Sequence, residues 1–227
     1  MENGNKTERI LNLLRDKSLV KFQVHENTLK AFRQFKSVGK TIYQEIKTEA
    51  SSIHKNITCS FQDKGDFEAE IKIASDLILL TMHTNTFEFP RDHAIMKTSY
   101  VTADESRSYC GIIYIYNYLA DSFKYNRLND VGYLVGRIFI NKENHFFVEG
   151  KRELGFMFNN FMGEPLDKTK IRQILESAIL YSIDFDLLTP TFDQMKEVTL
   201  QEMISYSNSL TVRTGKRLGF RFEADRD

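Results

Sequence analysis

An acidic and a basic side chain lie two residues apart in the segment FFVEGKRE, where Glu149 precedes Gly150 and Lys151. On a strand, residues i and i+2 point to the same side, so the carboxylate and the ammonium group would share one face. Asp130 stands at the start of the preceding predicted strand. Two carboxylates can hold Mg²⁺, and a nearby lysine can stabilise a charged phosphate or an attacking water. Asp130 and Glu149 are therefore candidate metal ligands, with Lys151 as the electrostatic catalyst.

The spacing of these three residues resembles the motif of PD-(D/E)xK nucleases, metal-dependent enzymes that hold Mg²⁺ with two acidic residues and use a lysine beside it. The predicted order of strand, strand and helix is similar too. The sequence departs from the motif because no proline precedes Asp130, and because Gly150 is a poor residue for the centre of a buried strand. A Mg²⁺-dependent nuclease is therefore the alternative hypothesis for this chain, not the leading one.

Motifs for other kinds of catalysis are missing from the sequence. No Gly-x-Ser-x-Gly nucleophile motif occurs, and neither Cys59 nor Cys110 belongs to a cysteine and histidine motif. No Gly-x-Gly-x-x-Gly loop opens a helix, as dinucleotide binding would require. His83, Asp92 and His93 lie close together, but their spacing fits no zinc signature. We therefore expect no metal site and no cofactor outside the nuclease hypothesis, and a non-catalytic role is favoured.

Two segments of the chain are nearly the same, GKRELGFMF at residues 150–158 and GKRLGFRF at residues 215–222. One interpretation is a pair of equivalent strands, each entered through a glycine, with Leu154, Phe156 and Phe158 alternating along one strand face. The other is that the two Lys-Arg pairs converge on a phosphate or on an RNA backbone. We favour the strands, because the repeat is shorter than any solenoid unit.

Three further cations recur every seven residues along a predicted helix and would line up on one face. A solvated helix surface is the favoured explanation for them. The candidate residues for anion or nucleic-acid binding are these three and the two Lys-Arg pairs: Arg33, Lys40, Lys47, Lys151, Arg152, Lys216 and Arg217. They support a third hypothesis, a non-catalytic nucleic-acid-binding protein.

Tyrosines are concentrated in the segment YCGIIYIYNYLADSFKYNR. Tyr114, Tyr116 and Tyr118 are two residues apart, so they would lie on one face of a strand, and Lys124 and Arg127 follow them. Such a face could line a small-ligand pocket or dock a protein, and stacking of nucleic-acid bases is a further use of tyrosine rings. These five residues are the candidate ligand-binding residues.

The overall charge excludes a general attraction to nucleic acid or to an anionic membrane. Lys plus Arg and Asp plus Glu both number 31, so the net charge is +0 and any basic partner surface must be local. No apolar stretch of about 18 residues predicts a membrane span, and the N-terminus MENGNKTERILNLLRDK has no apolar run like that of a signal peptide. We expect a cytoplasmic protein with no membrane partner.

Periodic apolar residues predict the elements that position these side chains. A short helix is predicted near residues 7–17, a connection at 18–25, and a long helix at about 27–53 whose apolar residues fall three, four or seven apart. From residue 57, alternation with period two predicts an antiparallel meander through the segments ITCSF, FEAEIKI and DLILLTMH. Residues 84–108 are a long polar loop, and loops of that length are commonly functional or mobile.

The second half of the chain carries further local signals. A strand is expected from residue 112 to about 116 and is followed by a helical turn. YLVGRIFI and HFFVEG predict a hairpin across the four-residue link 141–144. Asp167 is a predicted N-cap, and Thr199 with Glu202 predicts a capping box for a last helix at 199–210.

Together these patterns predict an α+β fold with an antiparallel sheet of five to seven strands, packed against the long N-terminal helix and two C-terminal helices. We expect one domain, with these parts: an N-terminal helical extension at 1–25, the long helix at 26–53, the sheet region at 57–158, a helical region at 166–212, and a strand or tail at 213–227. The leading functional hypothesis is a non-catalytic intracellular binding or regulatory module. It would use the tyrosine-lined face and residues 84–108 to recognise a small ligand or a protein.

Overall fold

The structure is a computed structural model that describes residues 6–128, 130–159, 161, 163, 165–187, 191–197 and 199–201. Several predictions lie outside the described residues: the second copy of the repeated segment with Lys216 and Arg217, Glu202 and most of the helix predicted at 199–210, and the strand or tail at 213–227. The assignment of the chain to one domain stays a prediction.

Three consecutive helical segments form one long N-terminal helix: α1 (Lys6–Leu13), a π-helical turn (Leu14–Ser18) and α2 (Leu19–Ile53). The connection predicted at residues 18–25 is therefore wrong. Ser18 itself has the helical dihedral angles φ −70 and ψ −39. Residues 18–25 contain no glycine or proline, and a helix that is already nucleated gains a hydrogen bond with each residue that is added.

One face of α2 is buried against the sheet. Its buried residues recur at steps of three or four, which keeps them on one side of the helix. They are Val24, Thr28, Ala31, Phe32, Phe35, Val38, Gly39 and Ile42. The helix approaches the sheet closely, because a Cβ atom added to Gly111 would lie 2.1 Å from Oγ1 of Thr28.

Seven antiparallel strands form one sheet: β1 (Cys59–Asp63), β2 (Glu68–Ile73), β3 (Asp76–Met82), β4 (Phe87–Glu88), β5 (Tyr109–Leu119), β6 (Tyr133–Asn141) and β7 (Phe146–Gly150). The order across the sheet is β1-β2-β3-β5-β6-β7, and the short β4 pairs with β5. The predicted meander and the hairpin across residues 141–144 are confirmed. With the helices described here, the α+β fold is confirmed. Among the described residues, no helix combines the length and apolar character needed to cross a lipid bilayer.

Four shorter helices complete the described chain: α3 (Ser99–Ala103), α4 (Ala120–Lys124), α5 (Lys168–Ile183) and α6 (Phe192–Met195). Asp167 caps α5 as predicted, since its carboxylate accepts a hydrogen bond from the amide of Lys170 at 2.9 Å. Strand β5 continues to Leu119 before α4 begins, three residues beyond the end expected near residue 116. The helices α2 and α5 pack on the same face of the sheet, which we call the closed face.

The first copy of the repeated segment does not continue as a strand. Strand β7 ends at Gly150, and Arg152–Gly155 form a 3₁₀ turn. Arg152 has a left-handed φ of 47°, which turns the chain out of the sheet. Leu154 then folds back so closely over Gly150 that any Cβ there would lie 2.5 Å from the Leu154 Cβ. The predicted strand face is therefore wrong, and Phe156 is 66% exposed while Leu154 is buried.

A second, smaller core lies on the face opposite the closed face. It contains Phe89, Ile95, Val101, Cys110, Ile112, Phe139 and Phe161. Residues 84–108 supply the first three of these side chains. This segment is folded through β4, α3 and two 3₁₀ turns, Ala94–Lys97 and Glu105–Ser108. The polar loop predicted here is thus an ordered cover over one end of the sheet.

Candidate functional site

The three predicted tyrosines lie on the face of the sheet opposite the closed face. They alternate along β5 with Ile113, Ile115 and Asn117, which are buried. Tyr114, Tyr116 and Tyr118 are half-buried, and the rings of Tyr114 and Tyr116 stack with centroids 5.8 Å apart. Their cross-strand neighbours on β3 are Thr81, Leu79 and Leu77. We call these six residues the tyrosine face.

An ion pair borders the tyrosine face on strands β6 and β7. Arg137 lies opposite Tyr114 in one direction and opposite Glu149 in the other. Its Nε donates a hydrogen bond to Glu149 Oε2 at 2.5 Å. Because residues directly opposite each other share a face, this pair extends the row that runs from Thr81 through Tyr114.

His93 adds a second contact to the same carboxylate. Its Nδ1 accepts a hydrogen bond from the amide of Ile95 at 3.3 Å, so the proton of the neutral imidazole lies on Nε2. That nitrogen is 3.7 Å from Glu149 Oε1. The carboxylate of Glu149 therefore stands between a guanidinium and an imidazole. We call this arrangement the Arg137–Glu149–His93 cluster.

A cleft of about 250 Å³ opens between this cluster and residues 87–90. Its other walls are mostly apolar and come from Phe87, Phe89, Pro90, Ile112 and Phe139. The Phe89 ring stacks on His93 with centroids 4.7 Å apart, and the Arg137 guanidinium lies 5.0 Å from the centre of the Phe139 ring. The cleft therefore combines aromatic walls with one polar side that can donate and accept hydrogen bonds.

A polar network ties the later part of the segment 84–108, whose earlier part lines this cleft, to the β6–β7 hairpin. The Tyr100 hydroxyl donates to Glu143 Oε2 at 2.7 Å and accepts from Asn141 Nδ2 at 2.9 Å. Arg107 Nε donates to Glu143 Oε1 at 2.9 Å. Lys142 Nζ pairs with Asp104 at 2.5 Å. We call Tyr100, Asp104, Arg107, Asn141, Lys142 and Glu143 the hairpin lock.

The hairpin lock shifts two ionisation equilibria. Burial, and then the hydrogen bond to Glu143, raise the pKa of Tyr100 to about 12. The hydrogen bond from Lys142 lowers the pKa of Asp104 from 3.8 to about 2. Tyr100 is therefore protonated and Asp104 ionised over the neutral range, so both keep the hydrogen bonds of the lock.

The predicted catalytic residues have different neighbours in the structure. The side chain of Asp130 is buried beside α4, where its carboxylate accepts a hydrogen bond from Ser122 Oγ at 2.6 Å and lies 3.9 Å from Arg127. Glu149 belongs to the Arg137–Glu149–His93 cluster, and Lys151 follows β7 as an exposed residue. Magnesium at Glu149 would have to compete with Arg137 for the carboxylate. The nuclease hypothesis stays a prediction.

Within residues 6–128 and the later described ranges, no group of three or more His, Cys, Asp or Glu side chains is arranged to hold a metal ion. The thiol of Cys110 is buried, and burial raises its pKa well above the ordinary value, which disfavours the reactive thiolate.

Lys124 and Arg127, the two basic residues predicted to bind ligand together with the tyrosines, both lie near the ring of Tyr125. Lys124 Nζ lies 4.8 Å and the Arg127 guanidinium 5.3 Å from the centre of the Tyr125 ring. From the same segment, Phe123 reaches the tyrosine face and meets the ring of Tyr118 edge-on at 5.4 Å. Phe123 is thus a contact of this face that the sequence did not single out.

The other predicted cations lie apart from the tyrosine face. Arg33, Lys40 and Lys47 are exposed on α2, which covers the opposite side of the sheet. Arg152 pairs with Asp184 and lies over the ring of Tyr181 at 5.4 Å. The described members of the predicted anion-binding set are therefore distributed over two regions.

Carboxylates balance two of the cations that border the tyrosine face, Lys64 and Arg137. Lys64 pairs with Glu70 and lies 3.7 Å from Glu68, and the pairing with Glu70 raises the pKa of Lys64. Arg137 is paired with Glu149 in the same way. A nucleic-acid backbone is attracted by cations whose charge is not already compensated. The electrostatics of this face therefore favour a partner of little net charge.

Sequence reasoning missed Arg137 and His93, for different reasons. The link 141–144 sets the register of the β6–β7 hairpin, and that register places Arg137 opposite Glu149. The pair could have been predicted from the sequence, because residues equally distant from the two ends of the hairpin link lie opposite each other. His93 is brought to Glu149 by the folding of residues 84–108 over the sheet, which no local pattern indicates.

Comparisons of the chain with protein-family models, with curated proteins and with solved structures found no match. The function must therefore be argued from the geometry of the tyrosine face and its cleft.

Proposed function

We propose that this protein is a non-catalytic binding module that recognises a segment of a partner protein. The segment lies across the tyrosine face and inserts one large apolar side chain into the adjoining cleft. The observation that carries the proposal is the continuity of three half-buried tyrosines with an aromatic cleft, on the side of the sheet that α2 and α5 leave uncovered.

The size of the cleft favours a side chain over a free small molecule. Pockets that enclose small ligands usually measure about 300–1,000 Å³. The cleft here measures about 250 Å³, which lies just below that range and is large enough for one large side chain. Protein interfaces commonly use this arrangement, in which an anchor fills a pocket and flatter contacts around it exclude water.

The chemistry of the surface also suits a protein partner. Tyrosine and arginine are enriched at protein interfaces, because their apolar bodies are buried while their polar groups form hydrogen bonds. Arg137 and Glu149 present a donor and an acceptor side by side at the mouth of the cleft. Because this pair is already neutralised, it fixes the orientation of a bound backbone or amide without requiring a charged partner.

A selection from a random peptide library displayed on phage, with the full chain as bait, tests the proposal. We expect enriched peptides to share one aromatic or large aliphatic residue and to bind with micromolar affinity. Tyr116→Ala and Arg137→Ala should each weaken the binding of a selected synthetic peptide by about tenfold or more, as truncation of an anchor contact does. Tyr43→Ala is the matched control, since Tyr43 is a half-buried tyrosine on α2 and should leave binding unchanged.

Two results would count against the proposal. The first is a selection that enriches no peptide. The second is a set of peptides that bind Tyr116→Ala and Arg137→Ala as tightly as the wild type. If small aromatic fragments, and no peptides, shift the NMR signals of residues around the cleft, the module binds a small ligand instead.

A further inference from the structure

Two polar atoms in the wall of the cleft lie close together without a direct hydrogen bond. His93 Nε2 carries the proton of the neutral imidazole and lies 3.7 Å from Glu149 Oε1, which is longer than a hydrogen bond. Arg137 bonds to the other carboxylate oxygen, Oε2. Among the described residues, no hydrogen bond uses Nε2 of His93 or Oε1 of Glu149. A donor and an acceptor are therefore both available at one point of the cleft.

A hydroxyl group fits between these two atoms. An oxygen atom at a hydrogen-bond distance of about 2.7–2.9 Å from each of them spans a separation of 3.7 Å. A hydroxyl accepts one hydrogen bond and donates another through the same oxygen. It can therefore accept from His93 and donate to Glu149 at once, whereas neither an N–H group nor a carbonyl oxygen can do both.

The rest of the cleft selects the group that carries the hydroxyl. Its apolar walls include the rings of Phe87, Phe89 and Phe139. Two of these rings adjoin the polar wall, since Phe89 stacks on His93 and Phe139 lies 5.0 Å from the Arg137 guanidinium. Aromatic rings pack well against one another in offset or edge-to-face contacts. A ring that bears a hydroxyl, which is a phenol, therefore matches both walls of the cleft.

We propose that the side chain bound in the cleft is a tyrosine of the partner segment, with its hydroxyl between His93 and Glu149. This inference rests on the proposed function for the source of the ring, and it names the residue that the segment must carry. Phenylalanine or leucine would cover both polar atoms and leave them unpaired, and tryptophan would leave the His93 donor unpaired. A buried donor or acceptor without a partner weakens binding.

Tyrosine also suits the charges of the cleft. A phenol is neutral at pH 7, so it adds no charge beside the compensated pair of Arg137 and Glu149. The pair stays intact, because the hydroxyl uses Oε1 while Arg137 keeps its bond to Oε2. A carboxylate is a strong acceptor for the phenol proton, since hydrogen bonds to charged groups are stronger than those between neutral groups.

NMR titration of the full chain with three small probes tests this chemistry without a peptide. The probes are para-cresol, toluene and para-methylanisole, which share one ring; the ether oxygen of para-methylanisole accepts a hydrogen bond but cannot donate one. We expect para-cresol to shift the signals of residues that line the cleft and to bind about tenfold more tightly than either of the others. Equal binding of toluene or para-methylanisole would overturn the proposal.

Substitutions in the polar wall connect this preference to named atoms. Glu149→Gln replaces the carboxylate by a weaker acceptor of the same shape, and His93→Phe keeps a ring beside Phe89 but removes the donor. Each should lower the ratio of the para-cresol and toluene affinities by about fivefold. A general disturbance of the cleft would weaken both probes and leave the ratio unchanged. Glu153→Gln is the matched control, since this carboxylate contacts Ser177 outside the cleft.

The source of the ring is tested with the selected peptides. Replacement of the tyrosine of a selected peptide by phenylalanine should weaken binding to the full chain by about tenfold. Peptides that share a leucine or a phenylalanine instead of a tyrosine would overturn this inference and leave the protein partner in place. If no peptide is enriched while para-cresol is still preferred, the protein partner is wrong and the phenol site stands. An affinity ratio that neither Glu149→Gln nor His93→Phe changes would overturn the site itself.

Discussion

On strand β5, Ile113 and Ile115 point beneath α2 and are fully buried, whereas Tyr114 and Tyr116, their neighbours in the chain, stay half-buried on the opposite side. Because successive side chains of a strand point to opposite faces of the sheet, the same strand contributes to the core and to the candidate binding surface. The closed face is filled by aliphatic and phenylalanine side chains from strands and helices. The tyrosine face presents aromatic rings and hydroxyl groups, and an ion pair borders it. The contrast separates residues that stabilise the fold from residues that are free to bind.

The largest expected effect tests this separation at two adjacent positions. Ile115→Ala removes a fully buried side chain from the closed face and should lower the free energy of unfolding by about 2–5 kcal/mol, because it leaves a cavity. Tyr116→Ala should lower it by about 1 kcal/mol or less, since a half-exposed side chain loses less packing. Urea denaturation of both variants measures the difference. Equal losses for the two variants would mean that the tyrosine face is part of the core.

A change in the hairpin lock should have an intermediate effect on the free energy of unfolding, and the loss should be confined to one end of the sheet. Tyr100→Phe removes the hydroxyl that joins Glu143 to Asn141 and should lower the free energy of unfolding by about 1–2 kcal/mol. The loss should be local, so amide hydrogen exchange should become faster in residues 94–108 than in β2 and β3. Tyr125→Phe is a suitable control on a different loop. Faster exchange throughout the sheet would show that the lock supports the whole fold.

The smallest expected effect is a pH dependence of the same region. The pKa of Asp104 is lowered from 3.8 to about 2 in the folded chain. Its contribution to stability is therefore fully present above about pH 4 and is lost as the pH falls through about 2. The pair with Lys142 is partly exposed, so the contribution is about 0.2–1 kcal/mol.

Thermal unfolding checks the sign of this effect. The melting temperature of Asp104→Asn should lie below that of the wild type at pH 6, and the difference should shrink as the pH falls towards 2. A difference that stays constant over this range would show that the carboxylate does not stabilise the fold through its charge.

The fold was predictable where the signal was local and repeated. Alternation in FEAEIKI and DLILLTMH reflects a sheet with one face towards the core, so the strands and their antiparallel order followed from it. The N-cap at Asp167 is equally local, because capping depends on a few adjacent residues. The connection predicted at residues 18–25 is wrong because weak apolar periodicity does not end a helix, and this segment contains no glycine or proline.

The candidate site was predictable only in part. The shared face of Tyr114, Tyr116 and Tyr118 followed from strand alternation. Glu149 was singled out, but with Lys151 as its companion; the hairpin register gives it Arg137 instead. The repeated segment misled because its first copy, which resembles a strand in composition, turns away at Arg152 with a left-handed φ of 47°.

By itself the sequence determined the period of each element, and with it the face on which each side chain of the sheet lies. The reason is that, in a regular helix or strand, the spacing of two residues along the chain decides whether their side chains point to the same side. Only the tertiary structure decided that residues 84–108 fold over one end of the sheet, that Phe89 and His93 thereby wall a cleft beside Glu149, and that Tyr116 stays uncovered. Those contacts join residues far apart in the chain, and they depend on packing that no single segment specifies.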